Sequence, residues 1–262
     1  MNYFSEKIIH LIESQLLNFN KHQINKLYQS FENGEIEKIE NHQTNKVFHD
    51  FLNQPSVFKK QFDLPFFINN KKAKTIMIIG MDAKANHEGS HIILSTPYYL
   101  QSEEGRNTNS NDYWKIIEVL SLEFNIYLTD VYKAYFVQEN TISNTIPSYT
   151  SHPIHKELIE KEILEVTPDA VICWGKEARD LVANLLDIQL NASISKDDIR
   201  IPYKKEIEGV SFSFLATPHP SRLTRPKSWE SFFAINLPEE DYSDSKLRPK
   251  KLAQFISSTV KQ

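Results

Sequence analysis

Four groups able to do chemistry recur at the same kind of place, just after a short apolar run. Asp82 follows Ile76-Met77-Ile78-Ile79-Gly80, and Asp130 ends Ile126-Tyr127-Leu128-Thr129. Gly175 closes Ala170-Val171-Ile172-Cys173-Trp174, and His219 stands beyond the run from Val210 to Ala216. Polar groups just past the carboxyl end of a buried parallel strand sit where open α/β sheets bind their ligands. If the four strands run parallel, two carboxylates, a helix N-terminus and an imidazole share one cleft. Each also has a bland alternative: the aspartates as turn or cap residues, the glycine as a tight turn, the histidine as part of a rigid loop between prolines. The coincidence at four strand ends favours a functional cleft.

The elements that must position these groups alternate. Continuous apolar runs rich in β-branched residues suit strands buried on both faces. Between them, the spacing predicts helices from about Asn111, over Ser151 to Val166, and from Lys176 to Leu186 directly after Gly175. Strands alternating with helices imply an α/β fold with a mainly parallel sheet. Residues 1–70 read instead as a helical extension packed on the core of residues 71–262. Its helices are expected behind Ser5, over Gln23 to Phe31, and over Ile36 to Phe51.

Composition excludes several classes. The chain has 262 residues, enough for one large domain, and a single cysteine, Cys173. That rules out a disulfide framework, an iron–sulfur cluster or a cysteine zinc site, so no cofactor and no metal are expected. No signal segment and no run of about 18 apolar residues appears, which predicts a soluble, cytoplasmic protein without a membrane partner. The net charge of −4 gives no general attraction to nucleic acid, so any nucleic-acid partner has to be met by a local basic patch. Only six glycines, without a G-x-G-x-x-G pattern, argue against a nucleotide-binding enzyme of unrelated chemistry.

Taken together, the segments from Lys74 to Arg225 resemble the uracil-DNA glycosylase superfamily. Gly80-Met81-Asp82-Ala83-Lys84 looks like its first motif, Gly-Gln-Asp-Pro-Tyr. His219-Pro220-Ser221-Arg222-Leu223-Thr224 looks like its second, His-Pro-Ser-Pro-Leu-Ser. Ile126 to Lys133 is similar to the strand that ends in the base-reading asparagine, and Pro168 to Ala178 to a further family segment. The resemblance implies a three-layer α/β/α sandwich around a four-stranded sheet, and a monomer that flips a nucleotide out of DNA and hydrolyses its N-glycosidic bond. Asp82 matches the aspartate that activates water and stabilises the cationic sugar, and His219 the histidine that hydrogen-bonds the departing base. Ser221 and Thr224 match phosphate contacts, Leu223 the wedge that fills the gap in the stack, and Arg222, Arg225 and Lys227 add positive charge.

Departures from the family pattern set the expected substrate. Lys84 replaces the tyrosine that crowds the 5-position of uracil. Ser95 aligns with the stacking phenylalanine, leaving Tyr98 or Tyr99 to stack or to serve as ordinary core. Met81 stands where another branch carries its glutamate. Above all, Asp130 replaces the asparagine: an ionised carboxylate only accepts, which suits a base with an exocyclic amine. The expectation is excision of a 5-substituted cytosine in defence against phage DNA. The alternatives are ordinary uracil repair and a non-catalytic nucleic-acid binder on the same scaffold.

Overall fold

The structure is a computed structural model that describes residues 6–35, 37–46, 49, 61–81, 92–107, 112–133, 153–190, 198–220, 226–237 and 246–261. At its centre are the apolar runs. Strands β4 (Thr75–Gly80), β6 (Asn125–Asp130), β7 (Ala170–Trp174) and β9 (Val210–Thr217) pair in parallel in the order β6-β4-β7-β9. Ile76 to Ile79 are fully buried, as are all five residues of β7, so these strands carry no solvent face.

Among the described residues the sheet has six strands rather than the expected four. Strand β3 (Phe66–Ile68) pairs antiparallel with β6 at one edge, and β8 (Tyr203–Ile207) pairs antiparallel with β9 at the other. Strands β8 and β9 form a hairpin around Glu208 and Gly209, both at positive φ, which suits the right-handed twist of adjoining strands. β8 alternates exposed and half-buried residues, and β3 is only three residues long. Neither has the continuous apolar signature of β4, β6 and β7.

Apolar clusters occupy both faces of the sheet. One joins Met77, Ile79, Tyr127, Val171 and Cys173 to helices α1 (Glu6–Gln15), α2 (Lys21–Glu32), α5 (Pro153–Val166) and α6 (Lys176–Leu185). The other joins Ile76, Ile78, Leu128, Ile172 and Leu215 to α4 (Asp112–Ser121), α7 (Pro226–Asn236) and α8 (Arg248–Lys261). A short helix, α3 (Glu103–Asn107), precedes α4. Period-2 alternation sends odd and even strand residues into different clusters.

The first seventy residues differ from the expected run of helices. Helices α1 and α2 form as predicted, α2 behind a capping box in which Asn20 and Gln23 satisfy each other's backbone. The expected helix from Ile36 to Phe51 gives way at its start to strand β1 (Glu37–Ile39) and a 3₁₀ turn at Asn41–Gln43, while Lys46 and His49 are helical, the His49 amide donating to the Asn45 carbonyl. β1 pairs antiparallel with β5 (Ile92–Ser95), which also pairs in parallel with β2 (Gln61–Asp63). Leu17 bridges Thr44, and the amide of Asn45 donates to the carbonyl of Leu16. Long-range backbone pairing has overridden a weak local helical pattern.

Candidate functional site

Strand order places the site. From β4 the chain crosses through α4 on one face to β6, then returns through α5 on the other face to β7, on the far side of β4. Crossovers leave β4 and β7 in opposite directions, and at the carboxyl ends of such a switch point open α/β sheets usually have the crevice that binds a ligand.

Gly80 and Asp130 are direct partners in the parallel register. A Cβ on Gly80 would lie 2.2 Å from Asp130 Oδ1 and 2.5 Å from the Tyr98 hydroxyl. The missing side chain at position 80 is therefore what lets a carboxylate and a phenol meet over the strand end. Asp130 is buried. Beyond it the ladder continues, with the Val131 amide donating to the Gly80 carbonyl and the Tyr132 amide to that of Met81, both at 3.0 Å.

On the other side of the crevice, Gly175 turns the chain from β7 into α6. Its φ of 92° and ψ of 164° belong to a region essentially restricted to glycine. Its amide donates to the Thr217 carbonyl, and His219 packs on it, with the His219 Cβ 3.2 Å from where a Cβ would stand. The imidazole thus rests against the first turn of a helix.

An aromatic cluster joins the two sides. Tyr98 stacks on Tyr113 with ring centroids 4.0 Å apart, and both lie against Trp174 at 5.6 and 5.3 Å. The Tyr113 hydroxyl is 3.4 Å from His219 Nδ1. Tyr98 and Tyr99 both have φ near 58°, an uncommon state for bulky residues. The turn that imposes it is pinned by Thr96, whose hydroxyl donates to Gln101 and accepts from the Gln101 amide. Backbone strain of this kind clusters at binding sites.

Of the residues singled out in the sequence, Asp130, Tyr98 and His219 come together at this edge. Ser95 is buried in β5 and its hydroxyl donates to Asp63, its register partner. Asp82, Lys84, Ser221, Arg222, Leu223, Thr224 and Arg225 lie outside the described residues. Tyr113 and Trp174 escaped the sequence reading. Tyr113, Ile117 and Leu120 share one helical face, a spacing that places Tyr113 at the sheet's carboxyl edge.

Among the described residues no group of three His, Cys, Asp or Glu is placed to hold a metal ion, and no helix is long and apolar enough to cross a membrane. No protein-family model matches the chain, and no curated protein matches it either.

Proposed function

We propose that the chain is a DNA glycosylase of the uracil-DNA glycosylase type, a three-layer sandwich that accepts a flipped base at the crevice between β4 and β7. The observation that carries this reading is the approach of the Asp130 carboxylate and the Tyr98 hydroxyl over Gly80, with His219 on Gly175 across the same edge. Hydrolysis breaks the bond between the sugar C1′ and the base nitrogen, and water supplies the hydroxyl that replaces the base. The departing base gains negative charge, which a histidine N–H donor stabilises. Tyr113 faces Nδ1 of His219, leaving Nε2 as the nitrogen for the base. Asp82, two residues beyond Gly80, is the residue assigned to the water and the cationic sugar.

Asp130 reads the Watson–Crick edge. Its carboxylate accepts from a 4-amino group and repels the O4 of uracil, so the substrate is a 5-substituted cytosine and the role is defence against DNA that carries it. The neighbouring Tyr98 hydroxyl favours a second reading. A phenol donor beside a carboxylate acceptor reproduces what one asparagine offers, and uracil then fits.

Duplexes carrying uracil, 5-hydroxymethylcytosine or its glucosylated form, followed by alkaline cleavage, separate these readings. Strand breaks on the cytosine derivatives alone support the leading reading, and breaks on uracil alone the second. The absence of breaks on all three, with Asp82→Asn indistinguishable from wild type, removes the glycosylase assignment.

A further inference from the structure

On the other face of β6 from Tyr98, a charged pair is sealed inside the protein. The ammonium of Lys133 lies 2.7 Å from Glu162 Oε1, and both side chains are 1% exposed. Lys133 also donates to the Thr129 hydroxyl and, at 2.8 Å, to the carbonyl oxygen of Asp130. Its three donors therefore have three acceptors. Glu162 Oε1 accepts in addition from the hydroxyls of Tyr127 and Thr129, each at 3.0 Å. The carbonyl of Lys133 itself accepts from the Asp63 amide at 2.9 Å.

Stability gives this pair little reason to exist. Desolvating two charges costs about as much as their attraction returns, and apolar replacements are often neutral or stabilising. The network is also incomplete, because Glu162 Oε2 has no partner among the described residues. What the pair does accomplish is geometric. It ties α5 to the last two residues of β6 and grips the backbone of the residue whose carboxylate faces the crevice.

We propose that Lys133 and Glu162 are positioning residues for Asp130, and so set which base the crevice selects. Without the ammonium, the Asp130 carbonyl loses its side-chain donor and the end of β6 is held by the strand ladder alone. The carboxylate over Gly80 then samples orientations that no longer separate an amine from a carbonyl on the base. For its activity arm this proposal rests on the glycosylase reading above.

The test compares wild type, Asp130→Asn, the neutral double variant Lys133→Met/Glu162→Gln, and the triple variant. The double variant avoids stranding one buried charge; if it does not fold, Lys133→Met/Glu162→Leu, apolar at both positions, carries the same comparison. Single-turnover excision is measured on DNA containing uracil or 5-hydroxymethylcytosine, and the Asp130 carboxyl ¹³C resonance is followed alongside. The double variant is expected to lower the ratio of the two excision rates by about tenfold, the scale of one good base contact. Adding Asp130→Asn to it then changes that ratio little further, and the Asp130 resonance moves or broadens. A ratio kept at the wild-type value, with Asp130→Asn still exerting its full effect in the double background, overturns the proposal. If wild type releases neither base nor the glucosylated 5-hydroxymethylcytosine, the glycosylase reading fails by itself. The positioning role is then decided by the Asp130 resonance, and an unchanged signal in the double variant overturns it.

Discussion

Asp130 concentrates the specificity argument in two oxygen atoms. Its carboxylate is buried at the end of β6, directly over Gly80, and under the proposed function it is the group that meets the base. Asp130→Asn is expected to move excision toward uracil by about 1–3 kcal/mol, roughly fivefold to 150-fold in relative rate, when both bases are compared under single-turnover conditions. A strand-end aspartate and a histidine between prolines are visible in the sequence because their types and places are unusual. Tyr113 and Trp174 are not, because aromatic residues at those positions read equally well as core. The Lys133–Glu162 pair is hidden for another reason: its partners are 29 positions apart, and nothing local in either segment signals that they meet.

Among the elements, the junction of β7 and α6 is the least tolerant. Gly175→Ala must adopt a backbone state that costs about 1–3 kcal/mol for a residue with a side chain. It also presses its Cβ toward His219 across 3.2 Å. The expected result is a lower urea midpoint together with slowed base release, the second exceeding what the lost stability explains, because the imidazole itself is displaced. Equal stability and equal rate in the variant would show that the junction relaxes freely. Three of the central strands were readable as continuous apolar runs and β9 as an alternating one, and α2 because Asn20 and Gln23 form a capping box. The edges were not. β8 alternates in burial beside a hairpin turn, and β1 owes its existence to pairing with β5 more than fifty residues away.

For the molecule as a whole, two buried tyrosines and the Cys173 thiol, which burial pushes well above its usual range, all lower stability in alkali. Burial, then the charge of Glu162, holds the hydroxyls of Tyr28 and Tyr127 well above the usual tyrosine range. The unfolded chain gives up these protons near pH 10 while the folded protein keeps them, so above that pH the unfolded state binds fewer protons. The corresponding stability is present in full below about pH 10 and is lost as pH rises toward the folded-state values. Urea midpoints measured from pH 8 to 11 are expected to fall at the upper end. Tyr127→Phe should flatten that fall, although it removes a hydrogen bond to Glu162.

The strand order has a consequence for how the protein comes into being. β4 lies between β6 and β7, and β7 pairs with it across more than ninety residues of intervening chain. Such non-local closures form slowly, since loop entropy is lost before the contacts repay it. Asp130, Gly175 and His219 belong to three segments that meet only once β7 has joined β4 and β9 has joined β7. A nascent or partly folded chain thus holds every residue of the crevice without the crevice itself. Under the proposed function, base release is therefore possible only once the last strand of the parallel core is in place.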